Sequence, residues 1–162
     1  MIFVGIDPGY GGAVVSLTSD GRFFDCERDF DPSDKLSMFH KIVTVCTTAN
    51  SARIAVERVN AQPKFGAKGA FQFGGAAAIA ELAVLESGKP FEFVTPRTWQ
   101  RVFWGWVADT KKEARRVCRQ LWPKREWRHD GECDAALIAE WLRRRELGQA
   151  GQERIAIEGA TT

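Results

Sequence analysis

Four acidic residues stand out by where they fall: Asp7, Glu57, Asp130 and Asp134. Asp7 closes the apolar run "MIFVGID" and meets the tight stretch Pro8-Gly9-Tyr10-Gly11-Gly12. Glu57 closes a second apolar run, "RIAVE". In "HDGECDAAL", Asp130 and Asp134 are four apart and share one face of a helix that begins by Asp130, whereas Glu132 points elsewhere. A buried carboxylate is costly without a positive partner, and four converging ones repel one another unless cations neutralise them. Hard oxygen ligands with room for water suit Mg²⁺ or Mn²⁺. Two such ions about 3.5–4 Å apart stabilise both the attacking and the leaving oxygen of a phosphodiester displacement. Glycines after Asp7 would let a nucleic-acid backbone come close. Each acid also has a plainer reading by itself. Asp7 before Pro-Gly is a turn residue, Glu57 a surface partner for an arginine, and Asp130 a helix cap. Their combination with strand ends and chain order favours the metal site.

The elements that must position these acids are legible as periodicity. "MIFVGID", "RIAVERV" and "FEFVT" are near-continuous apolar runs, as in strands covered on both faces. "AVVSLT" and "RFFDCE" follow the first run across short turn signals, which predicts an antiparallel meander. Helices are predicted over "DPSDKLSMFHKIVTVCTTA", "AAAIAELAVLES", "RTWQRVFW", "DTKKEARRVCRQLWP" and "GECDAALIAEWLRRRE". "NAQPKFGAKGAFQFGG" has no steady period and reads as a loop. The order β-β-β-α-β-α-β-α-α is α/β with a mixed sheet. Open α/β sheets build their sites beyond the carboxyl ends of the strands. Asp7 and Glu57 therefore meet if their strands are parallel neighbours. One domain is expected over residues 1–147, with 148–162 a flexible tail.

Composition narrows the partners. Of 162 residues, 44% are apolar and 27% charged, which suits a globular domain. No apolar stretch approaches the roughly 20 residues of a membrane span, and no secretory signal opens the chain. Cys26, Cys46, Cys118 and Cys133 are scattered without metal-ligand spacing and read as reduced core thiols in a cytosolic protein. The segment 97–128 holds ten Lys/Arg against three acids, a net +7, so the remainder of the chain carries −5. That is either a polyanion footprint or a solvated helix face. Most of the six tryptophans are expected to pack helices onto the sheet, with Trp104 and Trp106, flanking Gly105, the two expected at the surface.

"GIDPG" on a first strand, "AVERV" on a later one, "VTPRTWQRV", "TKKEARRVCRQLWP" and "HDGECDAALIAEWL" together resemble the RuvC-type Holliday junction resolvases, most of all the compact versions of bacteriophages and prophages. The likeness runs in order over about residues 1–145. It implies an RNase H-like fold, a mixed five-stranded sheet flanked by helices. It implies an endonuclease that cuts Holliday junctions and other branched DNA by paired nicks, as a homodimer, in a bacterial or phage-infected cytoplasm. Two Mg²⁺ or Mn²⁺ ions would sit on Asp7, Glu57 and Asp134, with Asp130 as fourth ligand and His129 as its rival; the position three before Asp134, which several relatives use, is Gly131 here. Arg101, Lys111, Lys112, Arg115, Lys64, Lys68 and Phe65 form the expected DNA-binding set, the lysines and arginines neutralising phosphates. Phe65, Phe71 and Phe73 would stack on exposed bases or pack beneath their loop. Two other classes compete: a non-cleaving branched-DNA-binding module, and a nucleotide-binding protein of the actin-like fold, which needs two such domains.

Overall fold

The computed structural model describes residues 1–58, 66–105 and 109–148. The readings made for Lys64, Phe65, Trp106 and the tail past 148 lie outside the described residues. Strands β1 (Ile2–Asp7), β2 (Ala13–Thr18), β3 (Phe23–Arg28), β4 (Ala52–Glu57) and β5 (Phe91–Val94) form one sheet in the order β3-β2-β1-β4-β5. β1 pairs antiparallel with β2 and parallel with β4; β3 and β5 take the two edges. The expected meander and mixed five-stranded sheet are both present.

Period-2 alternation divides the central strands between two layers. Val4, Ile6, Ile54 and Val56 face α1 (Lys35–Thr47) and α2 (Gly66–Glu86), where Met38, Ile42, Ala80, Ala83 and Val84 complete a core. Phe3 and Ala55 face the other way, into a layer made by α3 (Pro96–Phe103), α4 (Thr110–Leu121) and α5 (Asp130–Glu146). Asp7 and Glu57 continue the Phe3–Gly5 and Ala55 series, so both acids belong to the layer of α5.

Gly5 sets how close that layer lies. A Cβ there would stand 2.1 Å from the Ala135 carbonyl oxygen and 2.4 Å from the Ala139 nitrogen. Helix α5 is thus in backbone contact with β1, through a face of Ala135, Ala136 and Ala139. Gly5→Ala is expected to destabilise the fold by about 3 kcal/mol, since the obstructing atoms are backbone and cannot rotate away. Urea unfolding that showed an unchanged midpoint would contradict this packing.

Two local expectations change. Residues Gly66 to Gly75, read as loop, form the first half of α2. Once the second half is docked by Ala76, Ile79 and Ala80, each added residue gains one hydrogen bond, and no proline interrupts the ladder. Trp104, expected at the surface, is only 4% exposed. Its backbone turns extended at the end of α3, and the ring folds edge-on against Trp99 with centroids 5.7 Å apart.

Candidate active site

β1 and β4 end side by side: Ile6 is in register with Val56, which leaves Asp7 and Glu57 at the adjoining carboxyl ends. Asp134, in the second turn of α5, joins them because Gly5 lets that helix down onto β1. All three are half-buried, and none has an ion-pair partner among the described residues.

Their protonation records this crowding. Burial raises Asp7 to about 6, against the opposing effects of the Gly9 amide and the charge of Lys111. Burial and the Asp7 charge raise Glu57 to about 8, moderated by a hydrogen bond from Trp99. Asp134 is raised well above the carboxylate range by burial and then by the charges of Asp7 and Glu57. These acids feel one another, and the charge of Lys111 offsets part of the repulsion at Asp7.

The first carboxylate is fixed by its own turn, the Gly9 amide donating to Asp7 Oδ1 at 2.9 Å. Gly131 packs beneath that turn. A Cβ on it would lie 2.5 Å from the Gly11 carbonyl oxygen, 2.6 Å from the Gly12 Cα and 2.9 Å from Asp7 Oδ2. A side chain at 131 would run into the backbone of the Asp7 turn, so the position three before Asp134 carries no acid and Asp130 stands one residue earlier. Asp130 itself is held from outside: Arg115 Nε donates to its Oδ1 at 2.5 Å, and Lys111 Nζ is 3.5 Å from its Oδ2. His129 is turned to Asp29, Nε2 to Oδ1 2.9 Å, at a residue whose φ of 59° is left-handed.

The basic residues expected on DNA divide. Lys111, Lys112 and Arg115 project from α4 and, with Arg116 and Arg119, line a cavity of about 770 Å³ that Asp130 also borders. Asp109 caps this helix by accepting from the Lys112 amide at 3.0 Å. Lys68 on α2 and Arg101 on α3 are exposed and form no ion pair with Asp7, Glu57, Asp130 or Asp134. Phe71 is exposed and Phe73 half-buried, both on α2.

Two residues escaped the reading of the sequence. Fully buried Trp99 donates its indole N–H to Glu57 Oε1 at 2.8 Å and so orients that carboxylate. It lies five residues after β5, and nothing in its local pattern singled it out from the other tryptophans. Glu132, expected to point away from the acids, does so but is completely buried. Arg125 grips its Oε1 at 2.6 Å and Arg28 reaches the same oxygen at 3.4 Å, tying β3 and the α4–α5 connection to the start of α5. The partners are 7 and 104 residues away, beyond any local pattern.

Trp99→Phe keeps an aromatic ring at this buried position while deleting the N–H together with the indole's pyrrole half. It is expected to raise the Glu57 pKa further and weaken Mn²⁺ binding about tenfold, as loss of a supporting bond behind a ligand does. Mn²⁺ titration followed by electron paramagnetic resonance checks this; equal affinity would remove Trp99 from the site.

Comparison with solved structures identifies the fold. The chain matches the structure of Thermus thermophilus RuvC with a TM-score of 0.71 at 20% identity, covering 92% of this chain and 98% of that one. The fold is that of RuvC. T. thermophilus RuvC in complex with Holliday junction substrate gives the same TM-score at 19% identity, over 92% and 98% of the two chains. The yeast mitochondrial Holliday junction resolvase matches at 0.56 and 14% identity, over 93% of this chain and 80% of its own. No family model matches the chain, and no curated protein matches it by sequence. On the RuvC fold, Asp7, Glu57 and Asp134 gather at the carboxyl edge of the two central parallel strands, with the basic face of α4 beside them.

The donor chemistry of that edge fits a hard divalent cation: half-buried carboxylate oxygens with no paired base among the described residues. As placed, no three His, Cys, Asp or Glu side chains among the described residues converge on a single point.

Proposed function

We propose that the protein is a divalent-metal-dependent endonuclease that nicks Holliday junctions and related branched DNA. The observation that carries this reading is the set of three half-buried carboxylates, without ion-pair partners, at the strand ends of a RuvC fold. Support comes also from the fold's occurrence in a complex with Holliday junction substrate.

Asp7, Glu57 and Asp134, with Asp130, would hold Mg²⁺ or Mn²⁺. When bound, such ions supply activation of water and neutralisation of the leaving 3′ oxygen. The protein's own part is to shape that environment. Trp99 orients Glu57, the Gly9 amide fixes Asp7, and Lys111, Lys112 and Arg115 bind the phosphates that flank the cut. Arg115 and Lys111 already hold Asp130, so phosphate binding by these cations competes with that carboxylate and frees it toward the other acids. Paired nicks on a two-fold junction need two sites, which a symmetric homodimer provides.

One observation favours a second reading. Asp130 is held by Arg115 and Lys111 rather than by a cation shared with the other three acids, which suits a module that binds branched DNA without cutting it. Incubation with labelled four-way, three-way, flap and linear duplex DNA, with Mg²⁺, Mn²⁺ or neither, separates the two. The nuclease reading expects metal-dependent nicks on branched substrates at rates well above linear duplex. Binding to junctions with no nick under any metal would establish the second reading instead.

A further inference from the structure

The turn that carries Asp7 offers a single large side chain to solvent. Pro8 and Gly9 are buried, Gly11 and Gly12 have no side chain, and Tyr10 between them is 83% exposed. It is the only tyrosine in the chain. Its hydroxyl has no hydrogen-bond partner and its ring no aromatic neighbour among the described residues. An aromatic side chain used for packing ordinarily buries about 150–250 Å². Tyr10 contributes nothing of that kind to the fold.

Its backbone, by contrast, is pinned. The Gly9 amide donates to Asp7 Oδ1 at 2.9 Å, and the Gly12 amide to the Gly9 carbonyl at 3.0 Å. The Gly11 amide donates to the Phe30 carbonyl at 2.9 Å, and the Phe30 amide returns to the Gly12 carbonyl at 3.2 Å. Three residues of chain hold the Tyr10 Cα within about 11 Å of that of Asp7. The inner side of the turn is filled by Gly131 packed against Gly11 and Gly12. The ring therefore stands on a rigid support at the rim of the carboxylate site, with its faces free.

A flat face with a polar edge suits a nucleobase. Inside duplex DNA each base is already stacked on both sides, whereas at a branch point one face is released. Stacking on an aromatic side chain tolerates any base and strengthens binding by roughly five- to a hundredfold per base. We propose that Tyr10 stacks on a base exposed at the branch point, beside the phosphodiester that lies over Asp7, and so selects which phosphate is cut. This inference rests on the nuclease reading and deepens it. It gives the site a reason to prefer branched over linear DNA that phosphate contacts alone do not supply.

The test uses the full chain and its Tyr10→Ala, Tyr10→Leu and Tyr10→Phe variants in single-turnover cleavage of a four-way junction. Tyr10→Ala and Tyr10→Leu are expected to raise the half-saturating protein concentration about tenfold and to spread the cuts over neighbouring phosphates. Tyr10→Phe should restore both, because the ring and not the hydroxyl stacks. Identical cut positions and half-saturation for Tyr10→Ala would overturn the proposal, as would a Tyr10→Phe variant as impaired as Tyr10→Ala. Thermal melting at the wild-type temperature shows that each variant folds. If the wild type cuts no branched DNA at all, the nuclease reading fails. Junction affinity by fluorescence anisotropy then still decides the stacking contact, which requires about tenfold weaker binding for Tyr10→Ala.

Discussion

Replacing Asp7 by asparagine is expected to lower single-turnover nicking of a four-way junction by about 10³-fold or more, a larger loss than removal of a supporting bond behind a metal ligand produces. The amide has the size of the carboxylate and can still accept from the Gly9 amide, which is 2.9 Å from Asp7 Oδ1. What it lacks is the charge. Asp7 is the acid whose charge raises both Glu57 and Asp134, so its loss relaxes the cluster while removing the donor that a cation would need most. Junction binding should survive, because Lys111, Lys112 and Arg115 on α4 are untouched. Gel quantification of nicked product, paired with anisotropy in EDTA, separates the two effects. Equal nicking by both proteins would mean that the acids at this sheet edge take no part in the chemistry.

The second large effect concerns stability without metal. Carboxylates whose folded-state pKa is raised are neutral in the fold at a pH where the unfolded chain has already ionised. The native state then binds more protons, so stability is fullest below the ordinary carboxylate pKa and falls as pH rises. For Glu57 the fall runs from about 4.5 to about 8, and for Asp7 from about 3.8 to about 6. At about 1.4 kcal/mol per unit, Glu57 alone accounts for a loss of order 4 kcal/mol between pH 4 and pH 8, before its coupling to the other acids is considered. Urea unfolding in EDTA should therefore show stability dropping across this range. Glu57→Gln, which cannot ionise, should flatten that part of the curve and be the more stable protein at pH 8. Added Mg²⁺ should recover more stability at pH 8 than at pH 5, since the cation binds the ionised form. A wild-type curve that rises with pH, or that Glu57→Gln leaves unchanged, would contradict the crowded-carboxylate account.

Much of this site could be reached from residue order. The apolar runs before Asp7 and Glu57 marked strands covered on both faces, and their shared acidic ends pointed to one edge of a sheet. The structure makes those strands parallel neighbours. The spacing of Asp130 and Asp134 placed both on α5, though only the packed backbone shows why position 131 has to be glycine. What escaped notice depends on contacts between distant segments. Trp99 was one tryptophan among six until its indole met Glu57. Glu132 gave no sign that Arg28 and Arg125 would bury it. The first half of α2 was hidden by its glycines, whose local preference is overruled by the docked half of the same helix.

The most direct measurement is the rate of four-way junction nicking by the wild-type protein as Mg²⁺ or Mn²⁺ is titrated from EDTA. A rate of zero in EDTA that rises to saturation with either ion, with nicks at paired positions across the branch point, is the predicted result. Nicking that persists undiminished in EDTA, or no nicking at any concentration of either ion, would contradict a metal-dependent junction nuclease built on Asp7, Glu57, Asp130 and Asp134.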